Sequence, residues 1–121
     1  MSAEPQAGWS RTSGQSTAPG ADEVRCLLTV SGEVISFTGP EPTSEFTAAV
    51  AALSRDAQRA ARHLGLAPWE AVVVESADGI LGFAPSGPGG ERLAVIGAPA
   101  GTPAGAAQRA AIRHAADGAR R

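Results

Sequence analysis

The residues that could bind a metal ion are few and widely separated. Cys26 is the only cysteine of the chain, and His63 and His114 are its only histidines. A structural zinc site uses four Cys or His ligands, usually in closely spaced pairs. These three residues match no such spacing. We therefore expect no metal site, a buried thiol at Cys26, and histidines that face solvent on their helices.

A glycine-containing connection is a candidate for phosphate binding. The sequence GAPAG, residues 97–101, leads from an apolar run into an Ala-rich segment, and helix N-termini after such connections can bind anions. A P-loop would end in Gly-Lys-Ser or Gly-Lys-Thr. Here Gly101 is followed by Thr102 and Pro103, and the proline has no N–H group to donate. We interpret the segment as a strand-to-helix turn.

Acid–base and nucleophilic catalysis find no support in the residue pattern. Glu75 and Asp78 are two nearby acids, but they flank a predicted hairpin tip, where no cleft would perturb their pKa values. No serine or cysteine has a histidine at a spacing typical of a nucleophile and its base. The sequence predicts no catalytic residue and no cofactor site, so we expect a protein that is not an enzyme.

Composition narrows the class of partner. The chain has 121 residues and a formal net charge of −2, which gives no basic surface for nucleic acid. Its apolar runs are shorter than the ~18 residues of a membrane span, and no signal peptide is evident, so we expect no membrane insertion. A single cysteine is typical of a reducing compartment. These features together predict a cytoplasmic protein.

The first 22 residues differ in composition from the rest. They are rich in Ser, Gly, Pro, Ala, Gln and Thr, and Met1 and Trp9 are their only large apolar residues. Such a segment cannot bury enough apolar surface to offset the entropy of ordering it. We predict a disordered tail over residues 1–22 and one domain over residues 23–121. Trp9 is either incidental or a docking residue for a partner.

The first half of the domain predicts two strands and a helix. The β-type runs at 24–30 and 33–39 are joined by Ser31-Gly32, a hairpin signal, and Ile35 and Phe37 are expected on the face opposite Val34. From Ser44 to about Leu64, apolar residues recur at helical spacing. Either Thr43 or Ser44 can cap this helix, and Gly65 ends it.

The second half predicts three strands and another helix. The runs at 71–76 and 79–84 flank Asp78-Gly79, a pair that accepts positive φ in tight turns, and a third run covers 91–98. An Ala-rich helix is expected from a Thr102-Pro103 start through Ala116. The resulting order, ββαβββα, predicts an α+β domain with a five-stranded, mostly antiparallel sheet.

The strand over residues 71–76 is expected at an edge of the sheet. The run LAVI, residues 93–96, has no alternation and so predicts a central strand, from which the preceding strands meander outward. Val72, Val73 and Val74 then form an apolar edge without Pro, Lys or Arg. Proteins usually protect such an edge or pair it with another chain. We expect it to pair with a second copy across a twofold axis.

The long helix has one apolar and one basic side. Its apolar stripe is expected to include Phe46, Val50, Leu53, Ala57 and Leu64. Three arginines recur at helical spacing on the more polar side. These arginines are Arg55, Arg59 and Arg62. They form either a solvated face or a surface for a partner.

These segments together resemble the bacterial form of the roadblock/dynein-light-chain family. The resemblance covers about residues 24–118 and rests on LLTVSGEVISFTG, ALSRDAQRAARHLGL, VVVESADGILGFAP and ERLAVIGAP in this order. It implies profilin-like layers and strand order 2-1-5-4-3. It also implies homodimers in which third strands pair and long helices pack, so the interface would include Val72 to Val74 and the Phe46–Leu64 stripe.

The resemblance also implies a function. The resemblance implies a non-enzymatic adaptor that binds and regulates a small Ras-like GTPase. In bacteria, such proteins resemble one component of modules that also contain a sensor kinase. The chain departs from the family at its start, where a helix commonly precedes the first strand. The alternative is a profilin-like or PAS-like sensory module, which should have a ligand cavity lined by aromatic or polar groups. With three Phe, two Trp and no Tyr, the chain has few residues for one.

Overall fold

The computed structural model describes residues 23–66 and 68–119, so the predictions made for the tail over residues 1–22 lie outside the described residues. The described part has five strands and two helices in the order ββαβββα. This confirms the predicted α+β class. The elements are β1 (Val24–Thr29), β2 (Val34–Thr38), α1 (Ser44–His63), β3 (Val72–Glu75), β4 (Gly79–Ser86), β5 (Arg92–Pro99) and α2 (Ala104–Ala119).

The strands form one antiparallel sheet in the order β2-β1-β5-β4-β3. β5 is the central strand and is buried from Leu93 to Ala98, as its unbroken apolar run predicts. β2 and β3 are the two edges. The predicted strand order and the edge position of β3 are both confirmed.

Two hydrophobic cores lie on opposite faces of this sheet. Alternate residues of each strand point to opposite faces, so each central strand contributes to both cores. The α1-side core contains Val24, Cys26, Leu28, Phe46, Val50, Leu81, Phe83, Leu93 and Val95. The α2-side core contains Leu27, Ile80, Ala84, Ala94, Ile96, Ala98, Ala107, Ala111 and Ala115.

Local hydrogen bonds define both ends of α1. Thr43 is the N-cap, and its Oγ1 accepts a hydrogen bond from the Phe46 N–H at 3.1 Å. At the other end Gly65 has φ of 70°, a conformation that suits glycine. The Leu66 N–H donates to the Ala61 carbonyl at 2.7 Å, which is the pattern of a Schellman motif. The predicted helix bounds are confirmed.

The β1–β2 hairpin contains an irregularity that the sequence does not reveal. Phe37 pairs with Cys26, but the register then shifts, so that Val34 pairs with Leu28. Cys26 and Leu28 both belong to the α1-side core, and paired residues share a face. Val34 therefore lies on the same face as Phe37. The expected opposition of these two residues is wrong, because a bulge breaks the two-residue period.

The second hairpin turns one residue earlier than its sequence suggests. The Ser76 N–H donates to the Gly79 carbonyl at 2.9 Å, which leaves Ala77 and Asp78 as the two central residues. Gly79 is already the first residue of β4. The Ser76 hydroxyl also donates to the Gly79 carbonyl and accepts from the Asp78 N–H, so the serine side chain fixes this turn.

Helix α2 begins after its expected cap. The Thr102 hydroxyl donates to the Pro99 carbonyl at 2.7 Å and does not cap the helix, which starts at Ala104 and extends to Ala119. Within the residues that the structure describes, neither helix combines the length and the hydropathy needed to cross a membrane.

Candidate self-association and partner-binding surfaces

The backbone of β3 offers hydrogen-bonding groups along its outer side. Ser76 and Gly79 form a hydrogen-bonded pair at the turn, and such pairs alternate along an antiparallel ladder. Val74 and Val72 therefore bond to β4 through their pairs with Leu81 and Phe83. The N–H and C=O groups of Val73 and Glu75 point away from β4. They are free to pair with another strand.

The three valines of β3 have different surroundings. Val72 packs against the α1-side core, and Val73 packs against the α2-side core. Both are partly buried, whereas Val74 is 40% exposed. The two inner valines hold β3 on the sheet. The outward backbone and the Val74 side chain are the parts of this edge that another chain could contact.

The predicted apolar stripe of α1 divides into a buried and an exposed part. Phe46 and Val50 lie in the α1-side core, so they stabilise the protomer itself. Leu53 is 41% exposed and Leu64 is 70% exposed, and Ala57 is half-buried. An interface on this helix would therefore use Leu53, Ala57 and Leu64.

Two hydroxyl residues occupy the buried side of α1, and the sequence reading missed them. Thr47 and Ser54 are each 5% exposed. The Thr47 hydroxyl donates to the Ser44 carbonyl at 3.1 Å, and the Ser54 hydroxyl donates to the Ala51 carbonyl at 2.8 Å. Because these groups are satisfied within the helix, their burial carries little penalty. Hydrophobicity alone could not place them.

The predicted arginine face is solvent-exposed. Arg55, Arg59 and Arg62 are all exposed, and Arg59 forms a salt bridge with Asp56 one turn away. Their spacing places the arginines on one side of α1. This side carries a net positive charge that is available to an acidic partner.

Cys26 and His114 come close together, but not as metal ligands. Cys26 is buried, and burial raises the pKa of its thiol to about 12. His114 is half-buried on α2, and its Nε2 donates to the Cys26 backbone carbonyl at 2.9 Å. The expectation that both histidines face solvent is correct for His63 and wrong for His114. A histidine can be partly buried when its ring N–H donates a hydrogen bond to a backbone carbonyl.

The connection before α2 forms a turn, and the acidic pair lies on the surface of the second hairpin. Gly101 has φ of 92°, and the Thr102 N–H donates to the Pro99 carbonyl at 3.2 Å, as in a turn. The interpretation as a strand-to-helix turn is confirmed. Glu75 lies exposed on β3, and Asp78 lies exposed in the following turn.

A groove of about 280 Å³ lies between α2 and the end of β4. Small apolar side chains form most of its wall, and Glu70 and Ser86 are its polar lining residues. The Ser86 hydroxyl already donates to the Ala115 carbonyl at 2.7 Å. None of the residues that line the groove is aromatic. The lining residues are Glu70, Ala84, Pro85, Ser86, Gly87, Ile112, Ala115, Ala116 and Ala119.

The part of the α2-side face that β1 and β2 form is polar. Leu27 is buried in the α2-side core, and Ser36 pairs with it. Arg25 and Thr38, the next pair on this face, are both exposed. This part of the sheet therefore has little apolar surface that requires a cover.

The structure is similar to solved structures, whereas no protein-family profile and no curated protein sequence matches the chain. A roadblock/LC7 domain from Streptomyces avermitilis has a TM-score of 0.65 and 20% identity, over 76% of this chain and 78% of that chain. MglB from Myxococcus xanthus has a TM-score of 0.64 and 22% identity, over 78% of this chain and 71% of that chain.

A structure of MglB in a tetrameric arrangement has a TM-score of 0.68 and 22% identity, over 80% of this chain and 74% of that chain. At these identities the comparisons establish the fold. The chain therefore has the fold of the roadblock/LC7 family.

Proposed function

We propose that the chain is a homodimeric, non-enzymatic adaptor that binds and regulates a small Ras-like GTPase. One observation carries the proposal most directly. On a roadblock fold, the outward backbone groups of Val73 and Glu75 form an open sheet edge, and the long helix α1 carries exposed leucines at and before its C-terminal end. The resemblance to roadblock proteins supplies the GTPase as the partner.

The dimer would form through β3 and α1 of two protomers. A twofold axis next to β3 would pair the outward groups of Val73 and Glu75 with the same groups of the second copy, giving a continuous sheet. Leu53, Ala57 and Leu64 would then be buried between the two long helices. The tetrameric arrangement of one MglB structure supports self-association as a property of this fold.

The GTPase would bind to the arginine side of the paired helices. Arg55, Arg59 and Arg62 are exposed and point away from the core, so a dimer presents two such faces. A surface of this kind can hold a switch segment in one conformation and so shift the GTPase toward one nucleotide state. Binding alone would produce regulation, and no residue of this chain needs to take part in chemistry.

Nucleotide-dependent binding tests the proposal. The purified chain is titrated with the Ras-like GTPase encoded next to it in its native genome, loaded with GDP or with a GTP analogue. We expect clearly different affinities for the two forms. Replacing Arg55→Glu and Arg59→Glu together should weaken the tighter complex about tenfold, a cost of about 1.4 kcal/mol.

The matched control lies on the other helix. Arg109 and Arg113 have the same four-residue spacing and are also exposed, but they belong to α2 on the opposite face of the sheet. Arg109→Glu with Arg113→Glu makes the same change in net charge and should leave binding unchanged. Equal affinity for both nucleotide forms, or binding to neither, would contradict the proposed function.

The sensory-module alternative has less support. It needs a cavity with aromatic or polar walls, and the groove beside α2 is lined mainly by small apolar residues. As an adaptor the protein would act in the cytoplasm, where its GTPase resides. Association with a sensor kinase complex is the remaining part of this proposal, and copurification of the kinase with the dimer would test it.

A further inference from the structure

The outer edge opposite β3 exposes an apolar surface that the proposed dimer leaves open. Four large apolar side chains of the β1–β2 hairpin are between 41% and 48% exposed. We call these residues the β2 patch, and they are Val30, Val34, Ile35 and Phe37. β2 and β3 are opposite edges of the sheet, so pairing through β3 leaves the β2 patch accessible.

The bulge places Val34 and Phe37 of the β2 patch on the same face. Val34 pairs with Leu28 and Phe37 pairs with Cys26, which places both on the α1 side of the sheet. In a regular strand, one of them would have pointed to the other face. The α1 side of this edge therefore presents two large apolar side chains, Val34 and Phe37, from the same strand.

Acidic residues flank the β2 patch along the chain. Glu33 precedes β2, Glu41 follows it, and Glu45 lies in the first turn of α1. All three are exposed, and none forms a salt bridge with another described residue. Between Cys26 and Ser54 the sequence contains no Arg, Lys or His. A ligand of this surface should therefore combine a large apolar group with a positive charge.

Residues 1–22 contain one such combination. Trp9 is their only aromatic residue and Arg11 is their only basic residue. The two are separated by one position, so both would point to the same side in an extended segment. An indole could then contact the apolar side chains while the guanidinium approaches one of the flanking acidic residues.

The connection to the domain brings this segment to the β2 patch. Residues 1–22 join the described structure at Glu23, whose carbonyl lies 3.1 Å from a Cβ placed on Gly39, the residue that follows β2. An extended chain spans about 3.3 Å per residue, so the residues between Trp9 and Glu23 are long enough to reach any part of five-residue β2. A tether of this length gives an effective concentration on the order of millimolar.

We propose that the segment around Trp9 and Arg11 docks on the β2 patch of its own chain, with Trp9 against Val34 and Phe37 and Arg11 near Glu33, Glu41 or Glu45. The contact covers an edge that would otherwise be free to pair with other chains. It requires one anchored side chain rather than a folded tail, so it agrees with a tail composition that cannot form a core.

NMR spectra of the full-length chain labelled with ¹⁵N test this docking. Trp9→Ala should shift the backbone amide resonances of Val34 to Thr38 and leave those of β3 unchanged. In the opposite direction, Val34→Ser should shift the indole N–H resonance of Trp9. Val34 is 41% exposed, so this change should not disturb the core. Arg11→Glu should produce a smaller shift at the same β2 amides.

Two control variants and a dilution series make the outcomes distinct. Ser13→Ala in the tail should leave the β2 amide resonances unchanged, and Ile112→Ser, at an exposed position of α2, should leave the Trp9 resonance unchanged. Shifts that persist on dilution support docking within one chain. Shifts that vanish on dilution indicate docking on a second copy and contradict the proposal, as do shifts confined to other surfaces or no shift at β2.

Discussion

The two helices contact the sheet in different ways. α2 buries a row of small residues, Ala107, Ala111, Ala115 and Gly118, directly against the strands. A Cβ placed on Gly82 of β4 would lie 3.1 Å from the Ala107 carbonyl, so helix and strand are in close contact there. In α1 the buried residues are concentrated in the first half, and Ala61 is the one buried residue after Ser54.

This difference distinguishes the surface that stabilises the fold, on α2, from the surface that another chain can contact, on α1. Small side chains let α2 approach the sheet closely, and its whole length contributes to the fold. α1 is anchored by Phe46 and Val50, and from Leu53 to the C-cap it leaves Leu53, Leu64 and the arginines accessible. We expect substitutions on α2 to change stability and substitutions at the exposed residues from Leu53 to Leu64 to change association.

The largest expected effect is overpacking under α2. Ala111 is 0% exposed, and replacing it with leucine inserts three carbon atoms where no space is available. Ala111→Leu should lower the free energy of unfolding by about 1–3 kcal/mol. Ala60→Leu, at an exposed position of α1, should change it by less than about 0.5 kcal/mol. Urea denaturation of both variants measures the difference, and equal effects would contradict the comparison.

The next prediction tests whether the first half of α1 seals its core. Burial raises the pKa of Cys26 from 9.0 to about 12, so the unfolded thiol ionises at a lower pH than the folded one. Stability from this group is present below pH 9 and is lost as the pH rises toward 12. At pH 10 the loss should be about 1.4 kcal/mol relative to Cys26→Ala, as measured by urea denaturation at several pH values.

A thiol reagent gives an independent check of the same core. At pH 8 the folded chain should react with the reagent at the rate at which it opens, because the buried thiol is neither exposed nor ionised. Rapid labelling in the absence of denaturant would show that α1 does not seal the core.

The smallest expected effect concerns the two histidines. His114 donates to the Cys26 carbonyl, whereas His63 is exposed at the end of α1. His114→Ala should cost about 1 kcal/mol, the usual net value of one hydrogen bond. His63→Ala should cost less than about 0.5 kcal/mol. Thermal denaturation of the two variants compares their stabilities. A larger loss of stability for His63→Ala than for His114→Ala would contradict the assignment of the stabilising hydrogen bond to His114.

The sequence predicted the fold well because its local signals agree with one another. The caps of α1, the unbroken apolar run of β5 and the order of elements all point to the same sheet. The errors arose where long-range contacts determine the outcome. The bulge in β2 and the bond from His114 to Cys26 depend on residues that are distant along the chain or on the partner strand.

The candidate surfaces were harder to predict than the fold. Helical periodicity groups Phe46 and Leu53 on one side of α1, but Phe46 is buried and Leu53 is exposed. Periodicity describes a helix alone and does not indicate where the sheet beneath it ends. The buried Thr47 and Ser54 show the same limit, because their hydroxyls bond within the helix and so behave as apolar groups.

The central claim is that β3 and the exposed side of α1 join two copies of the chain. It is tested most directly by the mass in solution, measured by light scattering at tens of micromolar. The wild-type chain should have twice the 12.1 kDa mass of one protomer. Val73→Pro removes an outward N–H group that β4 does not use, so it should give a folded monomer, and Leu53→Asp should do the same. A wild-type mass of 12.1 kDa, or a Val73→Pro variant that remains a dimer, would contradict the claim.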